Sequence, residues 1–354
     1  MTLNYFEDVM TALSLFTTNL EAQMTHDNTV TDNAERNESE NVIGAQSTLM
    51  HAAAIDEFGL PEELRVQLLS RPSPNPHQVL VQVVSAGVQP TDAAIRAGWS
   101  PPGVTIDFPQ VLGNEFSGVV VEAGSEVVDI SVGDAVLGFN ILGCYAEYVA
   151  VDRTQVVLKP GSVGWHEAGV LSASGQTAHA VFEELSITSG ETVLVHGAAG
   201  GVGTVFTQLA VNAGATVIGT ASKPNHEYVR SLGATPVSYG EGQGERIRAL
   251  EPRVDAALDA AGHENLRTSV QFVKDRSRVA TIVDMQLASE LGCRALRSRR
   301  SQERLGRLVR KVADGELAIH LRAIYSLDQA ADAHRDVESG HGRGKIALAV
   351  ATVT

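Results

Sequence analysis

The stretch ETVLVHGAAGGVGTVFTQLAVNAGATVIGT, Glu191 to Thr220, decides how the chain is organised. Its apolar run Val193 to Val195 stops at Gly197, Gly200, Gly201 and Gly203, after which Val202, Val205, Leu209 and Ala210 recur at helical spacing. A second apolar run, Ala215 to Thr220, follows the helix. The order reads as strand, glycine turn, helix and second strand. In such a turn one glycine permits the bend, one lets the backbone approach a pyrophosphate, and a third, here Gly203, lets helix and strand pack closely. Ala198 stands where the first glycine usually does. The N–H groups of Gly200, Gly201 and Val202, flanked by Ala199 and Gly203, then form a cradle for a dinucleotide, aided by the positive end of the helix dipole. A glycine pattern alone is weak evidence. The strand before it and the helix and strand after it make a ligand-free βα turn the lesser reading.

The end of the second strand selects between nucleotides. A site for NAD usually places Asp or Glu there to bind the ribose hydroxyls. This chain has Thr220, Ala221, Ser222 and Lys223 instead. No carboxylate repels a phosphate, while the Ser222 hydroxyl and the Lys223 ammonium suit one, so NADP(H) is expected.

The chain has 354 residues, 44% of them hydrophobic, enough for a large core and two domains. Its formal charge is -15, yet residues 1–50 hold eight acidic and one basic residue, leaving 34 acidic against 26 basic elsewhere. Such a chain has no general attraction for nucleic acid or an anionic membrane. Arg294 to Lys311 carry eight basic residues and one acidic one, and without interleaved aromatics this run reads as a solvated helix face. Cys144 and Cys293 are too far apart for Cys-x-x-Cys spacing, which argues against a disulfide framework or a cysteine zinc site and fits a reducing compartment. Residues 1–47 read as a disordered acidic extension, with a short helix near Phe6 to Phe16. With Glu7 and Asp8 in place of a basic segment and no long apolar run, neither a secretion signal nor a membrane span is supported, and a cytoplasmic location is expected.

Upstream of the turn the text is β-rich: Val79, Val81 and Val83 alternate with their neighbours, and strands are expected at Phe116 to Val121, Asp134 to Leu137, Tyr145 to Val151 and Val156 to Leu158. Trp165 to Leu185 reads as helix. Beyond Thr220 the rhythm is α/β, with helices His226 to Leu232 and Asn265 to Lys274 among strands Thr235 to Ser238, Val254 to Asp259 and Arg278 to Val283. That is the pattern of a doubly wound parallel sheet. Helix Gln302 to Ala313 and the segment Ile319 to Val350 come after that sheet is complete and are expected to fold back onto the β-rich unit.

IDEFGLPEELRV (Ile55 to Val66), SAGVQPTDAAIRAG (Ser85 to Gly98), LGNEFSGVVVEAGSEV (Leu112 to Val127), VHGAAGGVG (Val195 to Gly203) and GHGRGKIAL (Gly340 to Leu348) resemble the medium-chain dehydrogenase/reductase superfamily, in its quinone oxidoreductase branch. The resemblance runs from about Leu49 to Val350. It implies a GroES-like catalytic domain over 48–164 completed by 297–354, a Rossmann domain over 165–296, an active site in the cleft, and a homodimer joined along Rossmann sheet edges. The zinc-dependent branch has Cys where Gln89 stands and His where Asn114 stands, so no metal is expected. Without that Lewis acid the natural acceptor is already electrophilic: a quinone or an α,β-unsaturated carbonyl takes hydride if it is well placed and its oxyanion receives hydrogen bonds. The resemblance puts Gln89, as candidate oxyanion donor, and Thr177 at the nicotinamide, and matches Tyr239 to a tyrosine that contacts the nucleotide phosphate. Trp99 and Asn114 are candidate pocket residues, each with a packing or hydrogen-bonding role as competitor. Ala94 replaces a frequent tyrosine. Asp92 and Arg96 match the family and read as a structural pair, and His166, His179 and His196 receive no chemical role. The expected function is NADPH-dependent, zinc-independent reduction of a small electrophilic substrate. The alternatives are an NADP(H)-binding sensor or interaction protein without turnover, and an enoyl-thioester reductase.

Overall fold

The computed structural model describes residues 48–351 apart from 252, 298 and 341, so the acidic extension and the helix expected near Phe6 lie outside the described residues. A six-stranded parallel sheet holds the glycine turn. Its strands run in the order Thr235–Ser238, Thr216–Ala221, Thr192–His196, Ala256–Asp259, Val279–Thr281 and Arg294–Ala295. The central strand Thr192–His196 sets Val193 beside both Val217 and Ala256. Its unbroken apolar run follows from burial on both faces. On one face Val193 and Val195 meet Val205, Phe206 and Leu209 of helix Gly201–Asn212. On the other, Leu194 packs with Ile247 of helix Gln243–Leu250 and Leu266 of helix Asn265–Phe272.

A seven-stranded sheet carries the other side of the cleft. The order is Leu321–Ser326, Lys345–Ala349, Gln78–Val88, Glu115–Ala123, Ala135–Phe139 and Val156–Leu158, with Tyr148–Asp152 also pairing with Gln78–Val88. A smaller sheet joins Arg65–Ser70, Leu49–Ile55 and Gln110–Val111. The segment after Ile319 does fold back onto the β-rich unit: Lys345–Ala349 runs antiparallel to Gln78–Val88, with Ile346 opposite Val88. Helix Gln302–Ala313, by contrast, does not follow that expectation: it lays Leu305, Leu308 and Val309 into the cluster that contains Val193 and Phe206 and reaches the β-rich unit at its start, where Gln302 Nε2 donates to Val156 O at 2.8 Å.

Two local expectations change. The helical stretch from Trp165 is two helices, Trp165–Gly169 and Ser172–Glu184. A Cβ on Gly169 would stand 2.9 Å from Ser85, so the first helix presses closely on a strand backbone before the chain turns at Val170. Helices Gln243–Leu250, Met285–Leu291 and Ala330–Glu338, and the strand Leu321–Ser326, were not anticipated. Each buries only two or three side chains or none, too few to set a clear period in the sequence.

Candidate active site

The phosphate end of the site begins at Gly197, whose φ of 76° only glycine adopts readily. Ala198 donates to Thr220 O at 3.0 Å, tying the turn to the neighbouring strand. A Cβ on Gly203 would fall 2.1 Å from Gly197 O, so the third glycine lets helix and strand pack as the sequence suggested. The N–H of Gly200 donates to Gly197 O at 3.0 Å and is used by the turn itself, a correction to its expected role as a pyrophosphate donor. Val202 and Gly203, in the first helical turn, have N–H groups without an acceptor among the described residues. A cradle of open N–H groups at a helix start fits a dinucleotide pyrophosphate.

At the adenosine end, Ala221 pairs with Ser238 in parallel register, so Ser222 and Tyr239 leave the sheet side by side. Lys223 follows on an exposed 3-10 turn, Lys223–Asn225, and Tyr239 is 52% exposed. The register thus sets Ser222 and Tyr239 at neighbouring strand ends, with Lys223 next to Ser222 in sequence. Sequence reasoning missed Arg246, whose Nη2 donates to Ser238 O at 2.9 Å and whose Nη1 donates to Glu241 O at 2.8 Å, fixing the loop that presents Tyr239. It also missed Arg343, which lies 5.4 Å over the Tyr228 ring and donates from Nε to His320 Nε2 at 2.9 Å. Tyr228 in turn bonds Thr204 of the cofactor helix at 3.0 Å.

The acceptor end is a buried polar network. Gln89 caps helix Pro90–Arg96, and its Nε2 donates to Glu115 Oε1. Glu115 is fully buried, and its Oε2 accepts from Ala173 N at 2.6 Å at the start of helix Ser172–Glu184. A Cβ on Gly87 would lie 2.2 Å from Glu115 Oε1, so that glycine clears the space the carboxylate fills. Lys345 Nζ completes the group 3.1 Å from Glu115 Oε1. Its stem reaches the cofactor turn, since a Cβ on Gly201 would meet Lys345 Cδ at 2.9 Å.

Beside this group, Asn114 Nδ2 donates to Asp92 Oδ1 at 2.9 Å, and Tyr145 OH and Gln89 N donate to Asp92 Oδ2 at 2.8 and 2.9 Å. Burial raises the Asp92 carboxyl to about 6, against the pull of those three donors. Asp92 and Arg96 therefore do not pair with each other: the Arg96 guanidinium meets Glu338 instead. Arg300 enters from the Rossmann side, donating from Nη1 to Asn114 O at 2.6 Å and from Nη2 to Asn140 O at 2.7 Å. The basic run is thus not wholly a solvated face. Arg300 was missed because it lies just before the helix, where Ser301 caps Arg304 N at 3.2 Å and the helical period has not begun.

Gln89 and Asn114 are therefore neighbours, joined through Asp92. Thr177 lies one helical turn beyond Ala173, the residue that holds Glu115: its hydroxyl donates to Ala173 O at 2.8 Å, and it borders a cavity of about 260 Å³ shared with Leu296, Arg297 and Arg304. Trp99 is half-buried against the hydrophobic cluster of the GroES-like sheet, in keeping with packing. Fully buried His196 donates or accepts at Ser269 Oγ, 3.0 Å away, and burial holds its pKa down at about 3. That residue is a satisfied core histidine.

A parallel nucleotide sheet beside a mainly antiparallel GroES-like sheet, with a polar network at their junction, defines a two-domain nucleotide-dependent oxidoreductase. Residues 75–161 match the alcohol dehydrogenase GroES-like domain family, and residues 232–348 match the zinc-binding dehydrogenase family. The quinone oxidoreductase of Mus musculus is 28% identical over 85% of this chain and 98% of its own. An NADPH-dependent alkenal/one oxidoreductase of Arabidopsis thaliana is 29% identical over 84% of this chain and 79% of its own. Among solved structures, the quinone oxidoreductase from Coxiella burnetii superposes with a TM-score of 0.78 at 30% identity, covering 86% of this chain and all of that one. The chain belongs to the medium-chain dehydrogenase/reductase superfamily, in its quinone oxidoreductase-like branch.

Proposed function

We propose that this protein reduces a quinone or an α,β-unsaturated carbonyl with NADPH and without zinc. The observation that carries the reading is the joining of the open N–H groups at the cofactor helix to the Gln89–Asn114 network through Lys345 and Glu115. That network supplies hydrogen bonds where a dehydrogenase of the zinc-dependent branch holds its metal. When bound, the nicotinamide supplies two electrons and a hydrogen as hydride. Val202 and Gly203 hold the pyrophosphate, and Ser222, Lys223 and Tyr239 hold the ribose phosphate. Gln89 stays oriented by Glu115, with one amide hydrogen left to give. Solvent water supplies the proton that completes the product.

The enzyme acts on small molecules, and no helix among the described residues is long and apolar enough to cross a membrane. We read it as a cytoplasmic protein and as a homodimer, the latter because the short strand Arg294–Ala295 is an outermost strand of the six-stranded sheet among the described residues. The test is NADPH oxidation, followed by its near-ultraviolet absorbance, with benzoquinone, naphthoquinone, a simple enone and an enoyl thioester. Reduction of a quinone or enone is expected to be fastest. Tight NADPH binding by folded protein with no acceptor reduced would replace this reading with a sensor or interaction role.

A further inference from the structure

We propose that Arg300 is a catalytic residue of this site, meeting the acceptor's carbonyl oxygen with its guanidinium where a metal-dependent relative would use a cation of its own. The inference rests on the reductase reading above and adds the electrophile that reading lacks.

Three observations carry it. First, the guanidinium is a half-buried cation set among polar groups at the acceptor end, not on the solvated face of its own helix. Nη1 is fixed by Asn114 O and Oδ1, at 2.6 and 3.2 Å, and Nη2 by Asn140 O at 2.7 Å. Its Cζ lies 5.1 Å from the centroid of the Phe139 ring. Five N–H bonds radiate from a guanidinium, and the Nε–H has no partner among the described residues, so the fork is held rigidly with donor capacity to spare.

Second, the amide expected to be the oxyanion donor is neutral and gives one of its two hydrogens to Glu115, so it brings a single uncharged donor to the developing oxyanion. Third, Glu115 is answered by Lys345 at 3.1 Å, while Arg300 forms no ion pair within 4.0 Å among the described residues and feels Asp92 and Glu115 only at longer range. The cation thus has no carboxylate in direct contact.

In the reaction, a C–H bond forms as hydride reaches the acceptor carbon and the π pair moves onto the carbonyl oxygen. The oxidised nicotinamide remains, and a proton from solvent yields the hydroquinone or the saturated ketone. Negative charge on that oxygen is what Arg300 stabilises, in a site that excludes much of the water that would otherwise screen it.

The test uses Arg300→Met and Arg300→Lys in the full chain. Arg300→Met should lower kcat/KM for naphthoquinone and for an enone about 10²- to 10³-fold, the range for loss of one oxyanion donor. The NADPH dissociation constant, read by fluorescence, should stay within about twofold, because the hydrogen bonds of Arg300 go to Asn114 and Asn140 and none goes to the glycine turn. A readout independent of turnover is 4-nitrophenol bound together with NADP⁺. Its absorbance reports its own ionisation, and its pKa should be depressed by roughly one unit or more in the wild type and should return to the solution value in Arg300→Met. If Arg300→Met does not fold, Arg300→Lys decides: the depressed nitrophenol pKa persists if the cation meets the oxygen, and a solution-like value overturns the proposal. Wild-type kcat/KM in folded Arg300→Met, or a rise as from a released latch, also overturns it. A wild-type protein that reduces no acceptor would instead remove the reductase reading beneath it.

Discussion

Lys345 Nζ and Glu115 Oε1 lie 3.1 Å apart in an ion pair whose side chains are 6% and 0% exposed. The lysine comes from the strand Lys345–Ala349 and the glutamate from the strand Glu115–Ala123, which flank Gln78–Val88 on either side. Removing one member of a buried pair strands the other's charge, at a cost of about 3 to 5 kcal/mol. Lys345→Met should lower the unfolding free energy in urea by that order. The double variant with Glu115→Gln should recover part of the loss. A single-variant loss under about 1 kcal/mol would show that Gln89 and Ala173 N satisfy the carboxylate on their own.

The nucleotide preference rests on Lys223, exposed at the end of the strand Thr216–Ala221. A charge-assisted hydrogen bond contributes about 1.5 to 3 kcal/mol, so Lys223→Ala should weaken NADPH roughly 10- to 100-fold and leave NADH almost unchanged. Titration of both nucleotides checks this. Equal losses for the two, or a wild-type preference for NADH, would sink the assignment.

Asp92 gives stability a measurable pH dependence. Its carboxyl is raised from 3.8 to about 6, so the folded state binds the proton more tightly than the unfolded chain. The resulting stabilisation is full below about pH 3.8 and is lost as pH rises through about 6, by at most about 3 kcal/mol. Asp92→Asn removes this contribution. Urea melts of both proteins at several pH values should therefore show the wild type losing ground to the variant between pH 4 and 7. A difference that is flat or of opposite slope would mean that the donors Tyr145, Asn114 and Gln89 N outweigh burial.

Metal dependence follows from how the two amides are used. Asn114 Nδ2 is held by Asp92 and Gln89 Nε2 by Glu115, and a guanidinium already sits against Asn114. Neither amide offers the thiolate or imidazole that zinc favours. Elemental analysis should find no stoichiometric zinc, and turnover should survive prolonged chelation. One tightly held zinc per chain, removed together with activity, would defeat this expectation.

The glycine turn was legible because its conformations depend on backbone alone: Gly197 needs a left-handed φ and Gly203 a missing Cβ, and both needs are written as residue type. Ser222 was named from the end of the second strand and Tyr239 from the family resemblance, and the parallel register places both at neighbouring strand ends. The acceptor end was only half legible. Gln89 and Asn114 were named singly, but their partners Asp92, Glu115 and Lys345 sit on separate segments that only tertiary pairing unites. Arg300 left no periodic mark at all, as it precedes the Ser301 cap. Its one signal was the cap itself, a serine directly before a helical run, which places the preceding arginine outside the solvated face.

Ile346 pairs with Val88, a strand made roughly 260 residues earlier, and Gly344 N donates to Ala199 O at 2.8 Å across the cofactor turn. A ribosome therefore delivers the parallel sheet complete while the strand beside Gln89 still lacks its neighbour and Glu115 its lysine. Nascent chains of this protein should acquire a folded nucleotide unit well before they acquire an acceptor site. During that interval an unpaired edge of Gln78–Val88 is open to wrong partners. The order of synthesis thus leaves the catalytic half of the molecule the last to be completed.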